Sequence, residues 1–182
     1  MSVTVHIARS SPKAVEAVGV PVGVKGAVPR SIGLSRAALT AAGFEGKPGQ
    51  TLVVPSATGP TQIAVGTGDE RLTAAGLRNA AAALVRAAGK RTSIATNLAD
   101  LDGVDATTAA QAVVEGASLA AYRYHGLKTE PVPAGLQELT LVVGQQRAAG
   151  ARRGADRGSI TSTAAGLARD LANTPRHISL RG

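Results

Sequence analysis

Four short segments within the first 65 residues are rich in β-branched residues, and the first of them alternates polar and apolar positions with the period of two that is typical of β-strands. The pattern predicts strands over residues 2–8, 14–24, 50–55 and 61–65. The last two flank the turn-forming segment 56–60, so we expect them to form an antiparallel hairpin. Pro21 lies within the second strand and predicts an edge position or a strand end there, because proline has no N–H to donate.

Later in the chain the apolar period lengthens to that of helices. In residues 73–88 one helical face carries Leu77, Ala81, Leu84, Val85 and Ala88, and Gly89 predicts the helix end. Thr108 and Gln111 match a capping box, which predicts a helix start there. The full set is helices over 34–42, 73–88, 108–125 and 159–173, strands over 92–98 and 138–144, and a loop or weak helix start over 148–158.

Strands that come first and then alternate with helices predict a three-layer α/β/α domain with a mixed sheet. The simplest division gives a domain over residues 1–158, a terminal helix over 159–175 and a tail over 176–182. The chain has no cysteine, which excludes disulfides and thiolate chemistry. No apolar stretch approaches the ~20 residues needed to cross a bilayer, so we expect a cytoplasmic protein with no membrane partner.

The net charge of +8 permits binding to nucleic acid. The arginines are spread along the chain, however, and the aromatic residues that would stack on bases are limited to Phe44, Tyr122 and Tyr124. We therefore expect mostly solvated helix faces and domain-contact residues, and keep a nucleic-acid-binding module as the alternative.

Candidate catalytic residues are scattered. The histidines His6, His125 and His177 form no metal-binding motif. The carboxylates Asp100, Asp102 and Asp105 lie just before a helix, where negative charge interacts favourably with the helix dipole. We predict neither a catalytic nor a metal-ligating residue in this chain.

The segment Gly66-Thr67-Gly68 follows a strand and precedes a helix, which is the context of a phosphate-binding loop. It has no third glycine and no Gly-Lys-Ser/Thr, so a tight turn is the main interpretation. These three residues are weak candidates for an anion site on backbone N–H groups.

Four segments, in order, resemble the N-terminal domain of the leucyl (cytosol) aminopeptidases. They are residues 63–69 (IAVGTGD), 77–84 (LRNAAAAL), 111–124 (QAVVEGASLAAYRY) and 167–175 (LARDLANTP). The last is similar to the family's ARDL-x-NTP junction, although Arg176 follows where a second proline is usual. Glycine inside a helix costs about 1 kcal/mol relative to alanine, so we expect Gly116 to meet another backbone and to face the sheet.

The resemblance implies a macro-domain-like fold and a non-catalytic assembly or regulatory domain within a hexameric exopeptidase. That enzyme would remove N-terminal amino acids with two divalent metals, Zn or Mn, in a catalytic domain absent here. The chain alone is therefore expected to be inactive, with no cofactor of its own. Its expected partners are its own catalytic domain and a homo-oligomer. A nucleotide- or ADP-ribose-binding macro-like domain is the lowest alternative.

Overall fold

A computed structural model describes residues 3–69, 71–124 and 135–174 of the protein. Six strands form one sheet: β1 Thr4–Ala8, β2 Ala17–Gly23, β3 Thr51–Val54, β4 Thr61–Gly68, β5 Ser93–Thr96 and β6 Glu138–Val142. The α-helices are α1 Arg36–Ala41, α2 Ala74–Ala88, α3 Ala106–Ala121 and α4 Gln145–Asn173, with 3-10 turns at Arg30–Ile32 and Leu98–Asp100.

The sheet is mixed, with strand order β1-β6-β5-β2-β4-β3. Only β3 and β4 pair antiparallel, which confirms the predicted hairpin. Of the two alternatives predicted from Pro21, the edge strand is wrong, because β2 lies between β4 and β5. The strand end is closer to the structure, since β2 ends two residues later, at Gly23. Proline is tolerated because β5 pairs only with Ala17–Gly19 of β2, so Pro21 lies beyond that partner and faces a neighbour on one side only.

Alternate residues of the central strands enter two different cores, one on each face of the sheet. Ala17, Ile63 and Val65 pack in a large core with α2, α3 and α4. Val20 and Ala64 join a smaller core on the opposite face, where the side chains of α1 and the following turn contribute Leu39 and Phe44. The three-layer α/β/α prediction is therefore confirmed.

Helix α2 matches its prediction closely, since Thr73 caps it and all five predicted face residues are buried. Helix α3 begins earlier than expected. Asp105, not Thr108, is its N-cap residue, and its carboxylate accepts hydrogen bonds from the N–H groups of Thr107 and Thr108. The predicted capping box of Thr108 and Gln111 is wrong, because a better acceptor stands one turn earlier.

Helix α4 is continuous over 29 residues, about 43 Å at 1.5 Å per residue. Of the two alternatives predicted for residues 148–158, the loop is wrong and the helix start is correct, because all of these residues lie in the first half of α4. None of the helices in the described ranges combines the length and the apolar character needed to cross a membrane.

Candidate domain-junction surface

The first half of α4 packs against α3 through small residues spaced four apart. Gly150, Gly154 and Gly158, here called the glycine row, are continued by the buried Ser162. A Cβ added at Gly154 would lie 2.0 Å from the carbonyl oxygen of Thr107, and one at Gly158 would lie 2.8 Å from that of Gln111. The two backbones therefore approach too closely for any side chain at these positions.

The prediction of a loop or a weak helix start over 148–158 assigned these glycines no packing role. The signal was present in the chain, because a small residue recurs at every fourth position from residue 150 to 162. That spacing places all four on one helical face, where they permit close contact with a neighbouring helix.

Gly116 of α3 makes an equally close contact with helix α2 and not with the sheet. A Cβ at this position would lie 2.1 Å from the carbonyl oxygen of Arg78 in α2. The expectation that another backbone packs there is confirmed, whereas the expectation that Gly116 faces the sheet is wrong. Helix α3 is thus fixed between α2 and α4 by glycine contacts on two sides.

The residue before that glycine is a buried carboxylate. Glu115 has a side chain only 7% exposed, and one of its oxygens accepts hydrogen bonds from Nε (2.9 Å) and Nη2 (2.6 Å) of Arg78. Its other oxygen accepts from the Gln111 amide at 2.9 Å. Both carboxylate oxygens of Glu115 accept hydrogen bonds, and the ion pair with Arg78 holds α2 against α3.

The second half of α4 is held by polar contacts to the end of α3. The Tyr122 hydroxyl donates to the Asp170 carboxylate at 2.7 Å, and the Arg169 guanidinium lies 5.3 Å from the centre of the Tyr122 ring. Arg169 also donates to the carbonyl of Leu119, and the Tyr124 hydroxyl donates to the Thr174 hydroxyl oxygen at 3.3 Å. We call this set the tyrosine contacts.

Partial burial raises the pKa of Tyr122 above its usual value of 10.0, and the hydrogen bond to Asp170 raises it further. The phenol is therefore neutral at physiological pH and remains a hydrogen-bond donor. The tyrosine contacts also join two of the segments named above, residues 111–124 and 167–175. The Arg78–Glu115 contact joins a third, residues 77–84.

The face of α4 that points away from α3 is apolar in its second half. Ile160, Leu167 and Leu171 are 72%, 60% and 69% exposed, and their spacing of seven and four places them on one line of the helix. We call them the junction stripe. Seven residues before Ile160, on the same line, stands the exposed Arg153. The outer face of α4 therefore changes from charged to apolar along its length.

Two of the carboxylates before α3, those of Asp100 and Asp105, accept hydrogen bonds from backbone N–H groups. Asp100 accepts from the N–H of Gly144 at 2.8 Å, and Asp105 caps α3. Arg147 donates to the carbonyls of Ala99 and Val104 and so closes this loop against α4. Hydrogen bonds from Thr108, above all, and from Thr107 lower the pKa of Asp105.

The glycines of the segment 66–68 have a structural explanation. They lie within β4, not in the turn after it. The N–H groups of Gly66 and Gly68 donate to the carbonyls of Gln50 and Gly46, and a Cβ at Gly66 would lie 2.0 Å from the Lys47 carbonyl oxygen. An anion site at Gly66, Thr67 and Gly68 remains an untested prediction, with two of its three N–H groups already engaged.

His6 is exposed on β1, while His125 and His177 lie outside the described residues. Within the described ranges, His, Asp and Glu side chains form no group of three or more that could hold a metal ion.

The fold and the packing thus define a mixed α/β domain in which helix α4 exposes an apolar stripe on its outer face. A family model described as the N-terminal domain of the cytosol aminopeptidase family matches residues 26–131. That match covers more than half of the chain, so the chain belongs to the cytosol aminopeptidase family and represents its N-terminal domain.

Curated relatives agree with this family. The probable cytosol aminopeptidase of Mycobacterium marinum is 38% identical over 129 residues, which are 68% of this chain and 24% of the relative. That of Mycobacterium sp. strain KMS is 34% identical over 146 residues, 76% of this chain and 27% of the relative. The chain spans about a quarter of the length of the curated relatives it matches.

Solved structures show the same domain. The bottromycin maturation enzyme BotP matches with a TM-score of 0.72 and 35% identity, over 89% of this chain and 33% of that one. A mutant of tomato leucine aminopeptidase has the same fold, with a TM-score of 0.79 over 97% of this chain and 39% of that one, at 20% identity.

Proposed function

We propose that this chain is the non-catalytic N-terminal domain of a metallo-exopeptidase that removes N-terminal amino acids from peptides. The observation that carries the proposal is the junction stripe, which is apolar and unpartnered within the described residues. Its partner is the metallopeptidase domain that would follow α4 in a longer protein. The resemblance to the family implies that two catalytic metals, Zn or Mn, would be bound by that domain.

The energetics favour such a partner. Burying a leucine side chain contributes about 1.5–3 kcal/mol, so Leu167 and Leu171 together supply several kcal/mol once covered. Within a single polypeptide that gain is not reduced by the cost of bringing two molecules together. The glycine row and the tyrosine contacts fix the direction of α4, so the stripe is presented in one orientation.

The role that follows is assembly. By orienting α4, the domain sets where a following catalytic domain sits and contributes to contacts between subunits of a hexamer in the cytoplasm. In this proposal residues 159–175 act as the junction segment, of which residues 159–173 are the second half of α4 and not a separate helix.

A chimera tests the proposal. The N-terminal quarter of the Mycobacterium marinum relative is replaced by this chain, and hydrolysis of a leucine chromogenic amide with Mn²⁺ or Zn²⁺ is measured beside sedimentation velocity. We expect chelator-sensitive turnover and an oligomer from the chimera. We expect no turnover from the 182-residue chain alone. Chelator-sensitive turnover by the chain alone would contradict the proposal.

The stripe itself is tested within the chimera. Leu167→Ser with Leu171→Ser is expected to reduce assembly and turnover, whereas the control Arg153→Ser on the same helical line is expected to leave both unchanged. If the two variants showed the same assembly and turnover, the junction stripe would not be the surface that contacts the catalytic domain.

A second candidate function rests on the basic outer face of α4. Arg152, Arg153 and Arg157 are exposed within two turns, with one carboxylate, Asp156, among them. Nucleic-acid binding at this face predicts an affinity that falls steeply with salt, by a slope of about 0.9 per phosphate contacted. A titration of duplex DNA at several salt concentrations, with Arg153→Ala and Arg157→Ala, decides whether this function exists.

A further inference from the structure

The strand β1 lies at one end of the sheet and pairs only with β6 among the described strands. Beside it runs α4, and the two enclose a cleft of about 410 Å³, here called the edge cleft. The cleft is lined by Val5, His6, Ile7, Arg152, Ala155, Asp156 and Ser159. Its volume lies within the ~300–1,000 Å³ of ligand sites.

The register of β1 determines which backbone groups face the cleft. The N–H of Thr4 donates to the Gln137 carbonyl at 2.8 Å, and the carbonyl of Ala8 accepts from Val143 at 2.9 Å. In a parallel pair every second residue bonds to the same neighbour, so Thr4, His6 and Ala8 face β6. The N–H and C=O groups of Val5 and Ile7 therefore point to the outer edge, and both residues line the cleft.

Edge strands of native proteins are usually protected by lysine, proline or a bulge. The sequence of β1, TVHIA, contains none of these residues, and its pairing with β6 is regular over all five positions. Four backbone hydrogen-bonding groups in an alternating pattern are what an extended peptide needs in order to add a strand.

The other wall of the cleft carries opposite charges at a matching distance. Arg152 and Asp156 are exposed and make no ion pair within the described part of the chain. Four residues along a helix span about 6 Å, and two residues along a strand span about 6.6 Å. An acidic and a basic side chain two positions apart in an extended peptide would therefore meet both charges from one peptide face.

We propose that the edge cleft binds an extended peptide as a seventh strand on β1, with an acidic residue at Arg152 and a basic residue at Asp156. The peptide pairs through its backbone with Val5 and Ile7 and through its charges with α4. This site is independent of the junction stripe, which lies on a different face of α4.

The test uses the ¹⁵N-labelled 182-residue chain and the probe peptide acetyl-TEVKT-amide, followed by amide chemical shifts. We expect the amides of Val5 and Ile7 to shift together along one saturation curve, and those of Thr4 and His6 to move far less. Arg152→Ala and Asp156→Ala should each weaken binding by roughly two- to fivefold, the range of exposed ion pairs. The adjacent Arg153→Ala, which does not line the cleft, should leave the affinity unchanged.

A probe of the same sequence with N-methylated backbone amides is the control for strand addition, and it should not bind. Equal binding of the methylated probe, or the absence of shifts at Val5 and Ile7, would overturn the proposal. Slow hydrogen exchange at these two amides without peptide would also overturn it, since the edge would then already be covered. If that protection grew with protein concentration, the occupant would be a second copy of this chain.

Discussion

The two halves of α4 lie in one continuous helix but are built for different neighbours. In residues 145–158 the inner face is a row of glycines pressed against the backbone of α3, and the outer face carries Arg153 and Arg157. In residues 159–174, which include the C-cap residue Thr174, the inner face is held by side-chain contacts to two tyrosines, and the outer face is the junction stripe. The first half completes the core of this domain, whereas the outer face of the second half has no partner among the described residues.

Because of this difference, we expect substitutions in the two halves of α4 to affect different properties, the stability of the domain in one case and docking on it in the other. Substitutions in the glycine row should damage the folded domain itself, because no space exists for a side chain there. Substitutions in the junction stripe should leave the domain intact and affect only what docks on it. The predictions below test this division, beginning with the largest expected effect.

The glycine row gives the strongest effect. Gly154→Ala places a methyl group against the Thr107 carbonyl and should cost about 3 kcal/mol in overpacking, against about 1 kcal/mol gained in helix propensity. The net loss of roughly 2 kcal/mol is measured by chemical denaturation. Gly166→Ala in the same helix meets nothing within 4 Å and should stabilise the chain by about 1 kcal/mol. Similar effects from both variants would refute the close α3–α4 contact.

The buried carboxylate gives the next effect. Arg78→Met leaves Glu115 without its cation in a buried position and should cost about 1–2 kcal/mol, a value reduced because the Arg78 side chain is 41% exposed. Glu115→Gln should cost less, since Arg78 can then be solvated. Urea denaturation of both variants measures the order, and a larger loss for Glu115→Gln would contradict this assignment.

The tyrosine contacts predict a pH dependence. Because the pKa of Tyr122 is raised in the folded state, its stabilisation is fully present below pH 10.0 and is lost as pH rises through the higher folded-state value. The difference in Tm between the wild type and Tyr122→Phe should therefore be constant up to pH 10.0 and shrink above it. Thermal melts across this range measure it, and a difference that widens in alkali would reverse the sign.

The junction stripe gives the smallest effect on the isolated chain. Leu167→Ser and Leu171→Ser should each change the free energy of unfolding by about 0.5 kcal/mol or less, because both side chains are already in water. Leu84→Ala, a fully buried residue of α2, is the matched control and should cost about 3 kcal/mol. A loss of that size at Leu171 would mean that the stripe is covered within the chain.

The sequence predicted most of the sheet and the amphipathic helix α2. These elements were recognisable because packing against a core requires apolar residues at a regular spacing, and that spacing can be seen within the element itself. It failed where a contact between distant segments decides the structure. Glycines at 150, 154 and 158 weaken a helix in isolation, yet the close approach of α3 makes them favourable in α4. The same reason explains Gly116, whose neighbour is a helix 38 positions earlier in the chain and not the sheet.

The junction was recognisable from residues 167–175 as a resemblance to a family segment, while its geometry was not. Nothing in those nine residues indicates that Arg169, Asp170 and Thr174 contact α3 and its following turn while Leu167 and Leu171 face outward. The edge cleft was equally hidden, because it depends on β1 being the outermost strand.

Thiol labelling tests the central claim most directly, because the chain has no cysteine of its own. Leu171→Cys reports on the junction stripe and Arg153→Cys on the same helical line in the first half of α4. In the chain alone both thiols should react rapidly with a maleimide, read peptide by peptide in a mass spectrometer. In the chimera with the remainder of the Mycobacterium marinum relative, the thiol at position 171 should become protected while that at 153 stays reactive. Equal reactivity at position 171 in both proteins would contradict the account.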